Sequence, residues 1–457
     1  MISIYPGGLP MKRIVVFCAA VLLVAVTTRI PALSRETAVS EAPFEVWILD
    51  QSNTRDENGN GSIIDSVDSG GTLYIYQGSD LNGQSASQAT PEVIDLGAGP
   101  RNFCVAQTGT APTRPHMLFL NEANTHVVVS FVATGHVLFI DAATRTPVAA
   151  VDVGTQAHAA VPSEDDTFVI VADQNGKKLH RILTDYSTNT FTYDAAGTLE
   201  LAVGTTPNGL PREDPVLRPD NAPICPDFDE SGQFAFVTLR GGGLFVVDTF
   251  ATPMAIVAEY DRATVHPNGC GGLHTKGKMY VDAGGGTPAN PLESDLYTFP
   301  LSGYSSTPNP PNTPAPTVVF SRDSLGFVDS HGIALTKHEQ YLWVADRAAN
   351  RIVVVETETD SVINEINLVG EVSGDPAPDL MEISPSGNRV FMAMRGSIPL
   401  TGNAASVNNA VGATPGLGIV RVEQGGRSGV LQAIAPISHI VNGVERADPH
   451  GIAVRVK

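Results

Sequence analysis

The segment DSHGIALTKHEQYLWVADRAANRIVVVETETDSVINEINLVG, residues 329–370, contains four short apolar runs separated by polar turns. The runs are rich in valine and isoleucine, which favour strands, and the turns KHEQ, RAAN and TETD have the length of β-hairpin connections. The segment therefore predicts a sheet of four antiparallel strands in which consecutive strands are neighbours.

Units of the same kind recur along the chain, and others begin near Pro115, Ala157, Ile224, Cys270 and Asp379. One more unit is divided between the two ends: the N-terminal part supplies FEVWILD, TLYIYQG and PEVIDLG, and the C-terminus supplies ADPHGIAVRV. A C-terminal strand that completes an N-terminal blade closes a ring and removes exposed sheet edges. The sequence thus predicts an all-β fold, a seven-bladed β-propeller of four-stranded blades, with two packed β-sandwiches as the alternative.

The composition agrees with a turn-rich β protein and excludes several function classes. Glycine (44 residues) and proline (33) are abundant, and the 42% of hydrophobic residues are enough to form a core, which excludes general disorder. A net charge of −20 argues against nucleic acid and anionic membrane surfaces as partners. The motifs of serine hydrolases, zincins, P-loop NTPases, dinucleotide-binding enzymes and c-type cytochromes are absent from the sequence.

The N-terminal segment MKRIVVFCAAVLLVAV, residues 11–26, joins two basic residues to an apolar run. The run is shorter than the ~20 residues of a membrane-spanning helix and is typical of a secretory signal. We expect residues 1–42 to be a signal peptide and leader, and residues 43–457 to form one propeller domain in the periplasm or outside the cell. An uncleaved N-terminal anchor is the alternative, and we expect no other membrane contact.

Several motifs resemble those of the YVTN/lactonase-like class of seven-bladed propellers. They are PHGIAV, SPSGNRVF and HVLFIDAATR, and the resemblance covers the whole predicted domain. It implies the propeller fold. The class includes lactonases, lyases, metal oxidoreductases and binding scaffolds, so the resemblance alone does not specify the function.

Aligning the second strands YLWVA, THVVVS, TFVIVA and NRVFMA without gaps brings five ionisable residues to one position of the first strand, with the last of them placed by the PHGIA match. These residues are His116, His158, His331, Asp379 and His450. Because the first strand of each blade lines the axial channel, the five side chains are expected at one level. Four imidazoles and a carboxylate favour a transition metal, copper or iron, over magnesium.

In this interpretation the four histidines bind the metal, and Asp379 is a ligand or a catalytic base. Asp329 and Asp448 each lie two residues before a ring histidine, where a carboxylate could orient the imidazole. The arrangement resembles histidine-lined propeller centres, such as the catalytic domain of nitrous oxide reductase, in geometry only. The alternative is structural: each histidine bonds to a neighbouring backbone carbonyl.

Two cysteines, Cys225 and Cys270, begin the innermost strands of adjacent predicted blades. In an oxidising compartment we expect a disulfide between them, with thiolate ligation of a metal as the alternative. Cys104 is then a free and buried thiol.

The segment DENGNGSIID, residues 56–65, begins like a calcium-binding loop. Asp56, Asn58 and Asn60 place side-chain oxygens at alternate positions, and Asp65 or Asp68 could replace the missing final glutamate. A turn without an ion is the alternative.

Together these features predict an exported metal-dependent oxidoreductase that acts on a small-molecule ligand at the channel mouth. A lactonase- or lyase-type enzyme at the same site is the first alternative, with histidine as general base and a metal polarising a carbonyl group. A non-catalytic binding propeller is the second alternative.

Overall fold

The computed structural model describes residues 41–60, 68–284, 293–306, 313–322, 325–400 and 410–457. The predicted signal segment lies outside the described residues, except for its last two positions, and so does Asp65. Residues 41–457 form one compact unit of seven four-stranded antiparallel sheets. These sheets are the blades of a seven-bladed propeller, which confirms the predicted fold over the alternative of two β-sandwiches.

Blades 2 to 7 are each formed by four strands that follow one another in sequence, from the innermost to the outermost. Blade 2 comprises Pro115–Leu120, His126–Phe131, His136–Asp141 and Thr146–Asp152. Blade 3 comprises Ala157–Pro162, Phe168–Asp173, Lys178–Asp185 and Thr190–Glu200. Blade 4 comprises Pro223–Phe228, Phe234–Leu239, Leu244–Asp248 and Ala255–Tyr260. Blade 5 comprises Gly272–Thr275, Lys278–Gly284, Ser294–Pro300 and Thr317–Ser321. Blade 6 comprises Ser330–Leu335, Tyr341–Asp346, Arg351–Glu356 and Ser361–Asn367. Blade 7 comprises Pro378–Ile383, Arg389–Met394, Gly416–Glu423 and Ser428–Pro436.

Blade 1 closes the ring in the predicted manner. Its inner strand is the C-terminal Pro449–Val456, which pairs antiparallel with Phe44–Asp50, and Thr72–Gln77 and Glu92–Asp95 complete the sheet. Every residue of Phe44–Asp50 is buried. The N-terminal strand is therefore an interior strand, held on one side by the C-terminus.

The remaining regular elements are small. An α-helix, Gly99–Thr108, covers blades 1 and 2 and buries Cys104, a free thiol as predicted. Short 3-10 helices and a hairpin lie between the strands: Gly78–Asp80, Gly83–Gln88, Lys337–Glu339, Gln424–Gly426, and Ile440–Val441 with Val444–Glu445. None of the helices that the structure describes has the length and apolar character needed to cross a membrane.

The compact unit begins at Glu41, before the predicted end of the leader. The amide and hydroxyl of Ser386 donate to Oε1 of Glu41 at 3.0 and 2.6 Å, and the guanidinium of Arg389 pairs with the same carboxylate. Glu41 is thus attached to blade 7.

Candidate metal centre

The five predicted channel residues share a backbone feature that directs them inward. In blades 1, 2, 3, 6 and 7 the inner strand has one residue more than the second strand it pairs with, and this bulge falls at the site residue. A β-bulge bends the strand locally and changes the direction of a side chain. The bulges contain His450, His116, His158, His331 and Asp379.

Close packing of the inner strands also depends on glycine at one position. A Cβ atom on Gly332, next to His331, would lie 2.3 Å from the backbone oxygen of Asp379 in the next blade. Glycine therefore lets blades 6 and 7 approach closely enough for His331 and Asp379 to meet.

The four histidines line one cavity of about 240 Å³. The other side chains around it are mostly polar, and they include Arg114, Gln156, Gln174, Arg240, Asn268 and Arg347. Asp379 is fully buried beside two of the histidines. The structure thus brings the whole predicted set together at one level of the channel.

One part of the set is a cluster of three, His331, Asp379 and His450. Oδ1 of Asp379 lies 3.1 Å from Nε2 of His331 and 3.2 Å from Nδ1 of His450, and the three ligand atoms lie within 4.8 Å of one another. Nε2 of His331 and Oδ1 of Asp379 are buried, and neither forms a well-aligned hydrogen bond with a described residue. These separations are close to those of ligands that sit ~2.0–2.2 Å from a shared metal ion.

The other part of the set is the pair His116 and His158, and its hydrogen bonds fix both tautomers. Nε2 of Gln51 donates to Asp448 at 2.9 Å, so Oε1 of Gln51 faces Nδ1 of His116 at 3.0 Å as an acceptor. Nδ1 of His158 lies 2.9 Å from the carbonyl oxygen of Ile224. Both Nδ1 atoms must therefore carry hydrogen, and each Nε2 atom presents a lone pair.

These two Nε2 atoms are only 3.1 Å apart, so a cation is needed between their lone pairs. A proton is disfavoured. Burial, reinforced by nearby His450, lowers the pKa of His116 well below its usual range and that of His158 to about 3. Neutral imidazoles with free lone pairs are the form that binds a metal ion. The pair fits a metal ion better than it fits a proton.

Two buried arginines that the sequence interpretation missed hold the carboxylate of Asp379. Nη1 of Arg395 lies 2.5 Å from its Oδ2, and Nη1 of Arg347 lies 3.2 Å from the same oxygen. Arg395 also binds Asp448 through two bonds, at 2.6 and 3.0 Å, and Nε of Arg347 donates to Asp329 at 2.9 Å. The arginines and aspartates form one charged cluster beneath the histidines.

The predicted role of Asp329 and Asp448 as direct acceptors for the ring imidazoles is wrong. Both carboxylates instead bind guanidinium groups, which compensate a buried negative charge better than a neutral imidazole does. Asp448 still acts on the site indirectly, since it orients the Gln51 side chain that contacts His116.

Arg347 and Arg395 occupy the same position of the repeat, so the sequence alone could have drawn attention to them. The residue directly after the second strand of a blade points toward the channel mouth in most blades, and it is polar and long in five of them. These residues are Gln51, Gln174, Arg240, Arg347 and Arg395. The same alignment that placed the histidines also placed this position.

The charge state of Asp379 bears on its role. Burial alone would raise its pKa, but His331, His450, Arg347 and Arg395 hold the pKa of Asp379 well below its usual range. At neutral pH the arginines account for this effect, because burial lowers the pKa of both histidines and leaves them uncharged. A carboxylate that stays ionised is a weak proton acceptor, so the geometry favours Asp379 as an anionic ligand over a catalytic base.

Comparisons with known proteins support the fold. No family model matches the chain, and no curated protein is similar to it in sequence. A solved structure of a protein from Lactobacillus plantarum is 12% identical, has a TM-score of 0.57, and covers 90% of this chain and 99% of its own.

Two further solved structures have lower TM-scores. A candidate 6-phosphogluconolactonase from Bacteroides fragilis is 11% identical, has a TM-score of 0.49, and covers 90% of this chain and 98% of its own. Hydrazine synthase from Kuenenia stuttgartiensis is 13% identical, has a TM-score of 0.46, and covers 67% of this chain and 76% of its own. Likeness at these identities concerns the fold and transfers no activity. The narrower resemblance to the YVTN class stays a prediction.

The expected disulfide is wrong for this structure. Cys225 and Cys270 lie side by side at the predicted strand starts, but both are free thiols. Burial raises the pKa of Cys225 well above its usual range. A hydrogen bond with Cys225 lowers the pKa of Cys270, but burial and nearby Asp282 and Asp227 outweigh it and leave that pKa raised.

The predicted calcium loop is described only in part. Oδ1 of Asp56 and Oδ1 of Asn58 both accept a hydrogen bond from the amide of Asn60, at 3.1 and 2.9 Å. Such bonds are typical of a polar turn. Asp65 lies outside the described residues, and the calcium site stays a prediction.

The carboxyl group of Asp50, which contacts Asp448 of the charged cluster, should make the stability of the folded protein depend on pH. Burial raises the pKa of Asp50 from 3.8 to about 7, so the folded protein holds a proton that the unfolded chain releases. The stabilisation linked to this proton is complete below the unfolded pKa and is lost as the pH rises through the folded pKa. Asp50→Asn cannot ionise but still offers an acceptor to the amides of Ser52 and Asp448. We expect its stability relative to the wild type to increase from about pH 5 to about pH 8 in urea unfolding, and an equal difference at both pH values would contradict this.

Proposed function

We propose that this protein is an exported metal-dependent oxidoreductase that binds a transition metal, copper or iron, at the mouth of the propeller channel. His116, His158, His331, His450 and Asp379 would hold the metal. Copper or iron would supply one-electron chemistry that protein side chains lack.

The observation that carries the proposal is the set of buried nitrogen and oxygen atoms that face one another at close range in one cavity. The Nε2 atoms of His116 and His158 are 3.1 Å apart, and the Oδ1 atom of Asp379 lies 3.1 Å from His331. A purely structural role for each histidine, through a backbone carbonyl, is supported only for His158, which bonds to Ile224. Imidazole donors with one carboxylate suit copper, iron or zinc.

The size of the cavity supports a small substrate. Its volume of about 240 Å³ lies below the ~300–1,000 Å³ of pockets for drug-sized ligands. Leu400 closes part of the rim, and its amide donates to Asp448 at 2.7 Å. The cavity can admit a small molecule beside a bound ion and restrict access of larger ones.

The test is elemental analysis of the mature protein, purified from a host that exports it, together with His331→Ala. We expect near-stoichiometric copper or iron in the wild type and its loss in His331→Ala. The control is His338→Asn, which removes an exposed histidine at a positive φ of 71° that asparagine tolerates.

Other results would support the alternatives. A colourless protein that holds zinc and opens lactones would identify a hydrolase or lyase. A protein whose metal content is unchanged by His331→Ala would overturn the proposed centre and favour a binding propeller.

A further inference from the structure

A second group of potential metal ligands lies on the channel side of blades 3, 4 and 5. One ring nitrogen of His158 and the Sγ atoms of Cys225 and Cys270 lie within 4.8 Å of one another. Both cysteines are almost fully buried, with exposed fractions of 2% and 5%. In tetrahedral zinc sites, metal–sulfur distances of ~2.3 Å and metal–nitrogen distances of ~2.0 Å give ligand separations of ~3.5–3.8 Å, which fall within this limit.

The group lies in the wall between two cavities. His158 lines the 240 Å³ cavity of the histidine ring, whereas Cys225 and Cys270 line a separate cavity of about 300 Å³. An ion can therefore reach the thiols without passing through the ring.

The backbone around both cysteines is fixed by side chains of the second strands. The hydroxyl of Thr238 accepts a hydrogen bond from the amide of Cys225 at 3.3 Å. Oδ1 of Asp282 accepts bonds from the amides of Cys270 and Gly271 at 3.1 and 2.8 Å. Outer contacts of this kind hold ligands in place in metal sites.

Carboxylate oxygens next to the thiols point to a cation independently of the sulfur atoms. Asp282 is fully buried, and its Oδ2 atom accepts no hydrogen bond from any described residue. Oδ2 of Asp227, which lines the same cavity as the cysteines, is likewise buried without a hydrogen-bond partner there. A positive ion among the sulfur atoms would compensate these groups.

We propose that His158, Cys225 and Cys270 bind a thiophilic ion, Zn²⁺ or Cu⁺, at a site separate from the histidine ring. Sulfur ligands select these ions over the harder metals. The site shares His158 with the ring, and because Nδ1 of His158 bonds to Ile224, the two ions would compete for this imidazole. Cys225 and Cys270 take no part in the ring, so the proposal does not depend on the proposed oxidoreductase function. Because the metal binds thiolates, each ion that binds displaces the thiol protons.

The test uses Co²⁺ as a spectroscopic probe for Zn²⁺ on protein kept reduced. We expect thiolate-to-cobalt charge-transfer absorption, which binding to imidazole and carboxylate alone does not produce. The absorption should disappear in Cys225→Ser and Cys270→Ser. It should persist in Cys104→Ala, which removes an unrelated buried thiol, and in Asp379→Asn, which alters the ring but keeps all three proposed ligands.

A measurement on the wild-type chain guards against variants that fail to fold. Zn²⁺ should slow alkylation of Cys225 and Cys270, measured by mass spectrometry of peptides, and should leave Cys104 unaffected. Charge-transfer absorption that persists in Cys225→Ser, or alkylation of the pair that Zn²⁺ leaves unchanged, would overturn the proposal. A Cys225–Cys270 disulfide in protein isolated from the exporting host without reductant would overturn it as well.

Discussion

Arg395→Met is expected to lower the free energy of unfolding by about 3–5 kcal/mol, because it breaks a buried ion pair from one side. Arg395 and the carboxylates of Asp379 and Asp448, which it binds, are completely buried. Methionine fills much of the same volume but leaves Asp448 without its guanidinium group and Asp379 with that of Arg347 alone. Urea unfolding of the metal-free protein measures the change.

The matched control is Arg421→Met, which breaks an exposed ion pair with Glu423 in the same blade. Arg421 is 51% exposed, and we expect its loss to change stability by no more than ~0.5 kcal/mol. Adding Asp448→Asn to Arg395→Met removes the carboxylate that lost its guanidinium group and should recover part of the loss. Equal effects of Arg395→Met and Arg421→Met would show that the buried cluster contributes no more than a surface pair.

The fold could be predicted from the sequence because the repeat fixes the register of every blade. In a hairpin the turn type and loop length fix the register, so the short turn between YLWVAD and RIVVVE specifies how these two strands pair. Aligning the second strands therefore also aligned the first strands. That alignment placed His331 and Asp379 at one level of the channel, although 48 positions separate them in the sequence.

The charged cluster could not be predicted in the same way. A polar side chain directly after a strand is usually solvated, and the sequence of one blade does not show which residues face it from the next blade. Arg395 pairs with Asp448 across 53 residues and a blade boundary. The sequence therefore predicts the site residues whose position is set by their own strand. It does not predict those whose role depends on a partner in a neighbouring blade.

The cysteines illustrate the same limit. Their adjacency follows from the strand starts, but the choice between a disulfide and free thiols depends on distances and side-chain directions that the sequence does not contain. The structure has both thiols free beside His158, which places the alternative of thiolate ligation ahead of the expected disulfide.

Asp379→Asn is expected to remove most of the metal affinity of the ring, because Asp379 is the one anionic member of the proposed ligand set. The loss should exceed the ~10–100-fold that is typical when a residue contacting a ligand, rather than a ligand itself, is replaced. A bound ligand stabilises the folded state by about 2.7 kcal/mol at 100 times its Kd, so the wild type should gain stability when copper is added. Asp379→Asn should lose the part of this gain that comes from the ring and keep only what binding at Cys225 and Cys270 supplies. Asp448→Asn is the control, since it also takes a carboxylate from Arg395 but is no part of the ligand cluster.

The same variant separates the two roles that the geometry allows for Asp379. If the carboxylate binds the metal, the metal-free variant should be nearly as stable as the metal-free wild type, because Arg347 and Arg395 keep their bonds to Asp329 and Asp448. If it only compensates the arginines, Asp379→Asn should destabilise the metal-free protein about as much as Arg395→Met does and leave the gain from copper intact. Unfolding measured with and without copper therefore decides between a ligand and a structural counter-ion, because only a ligand couples the loss of its charge to the loss of the metal.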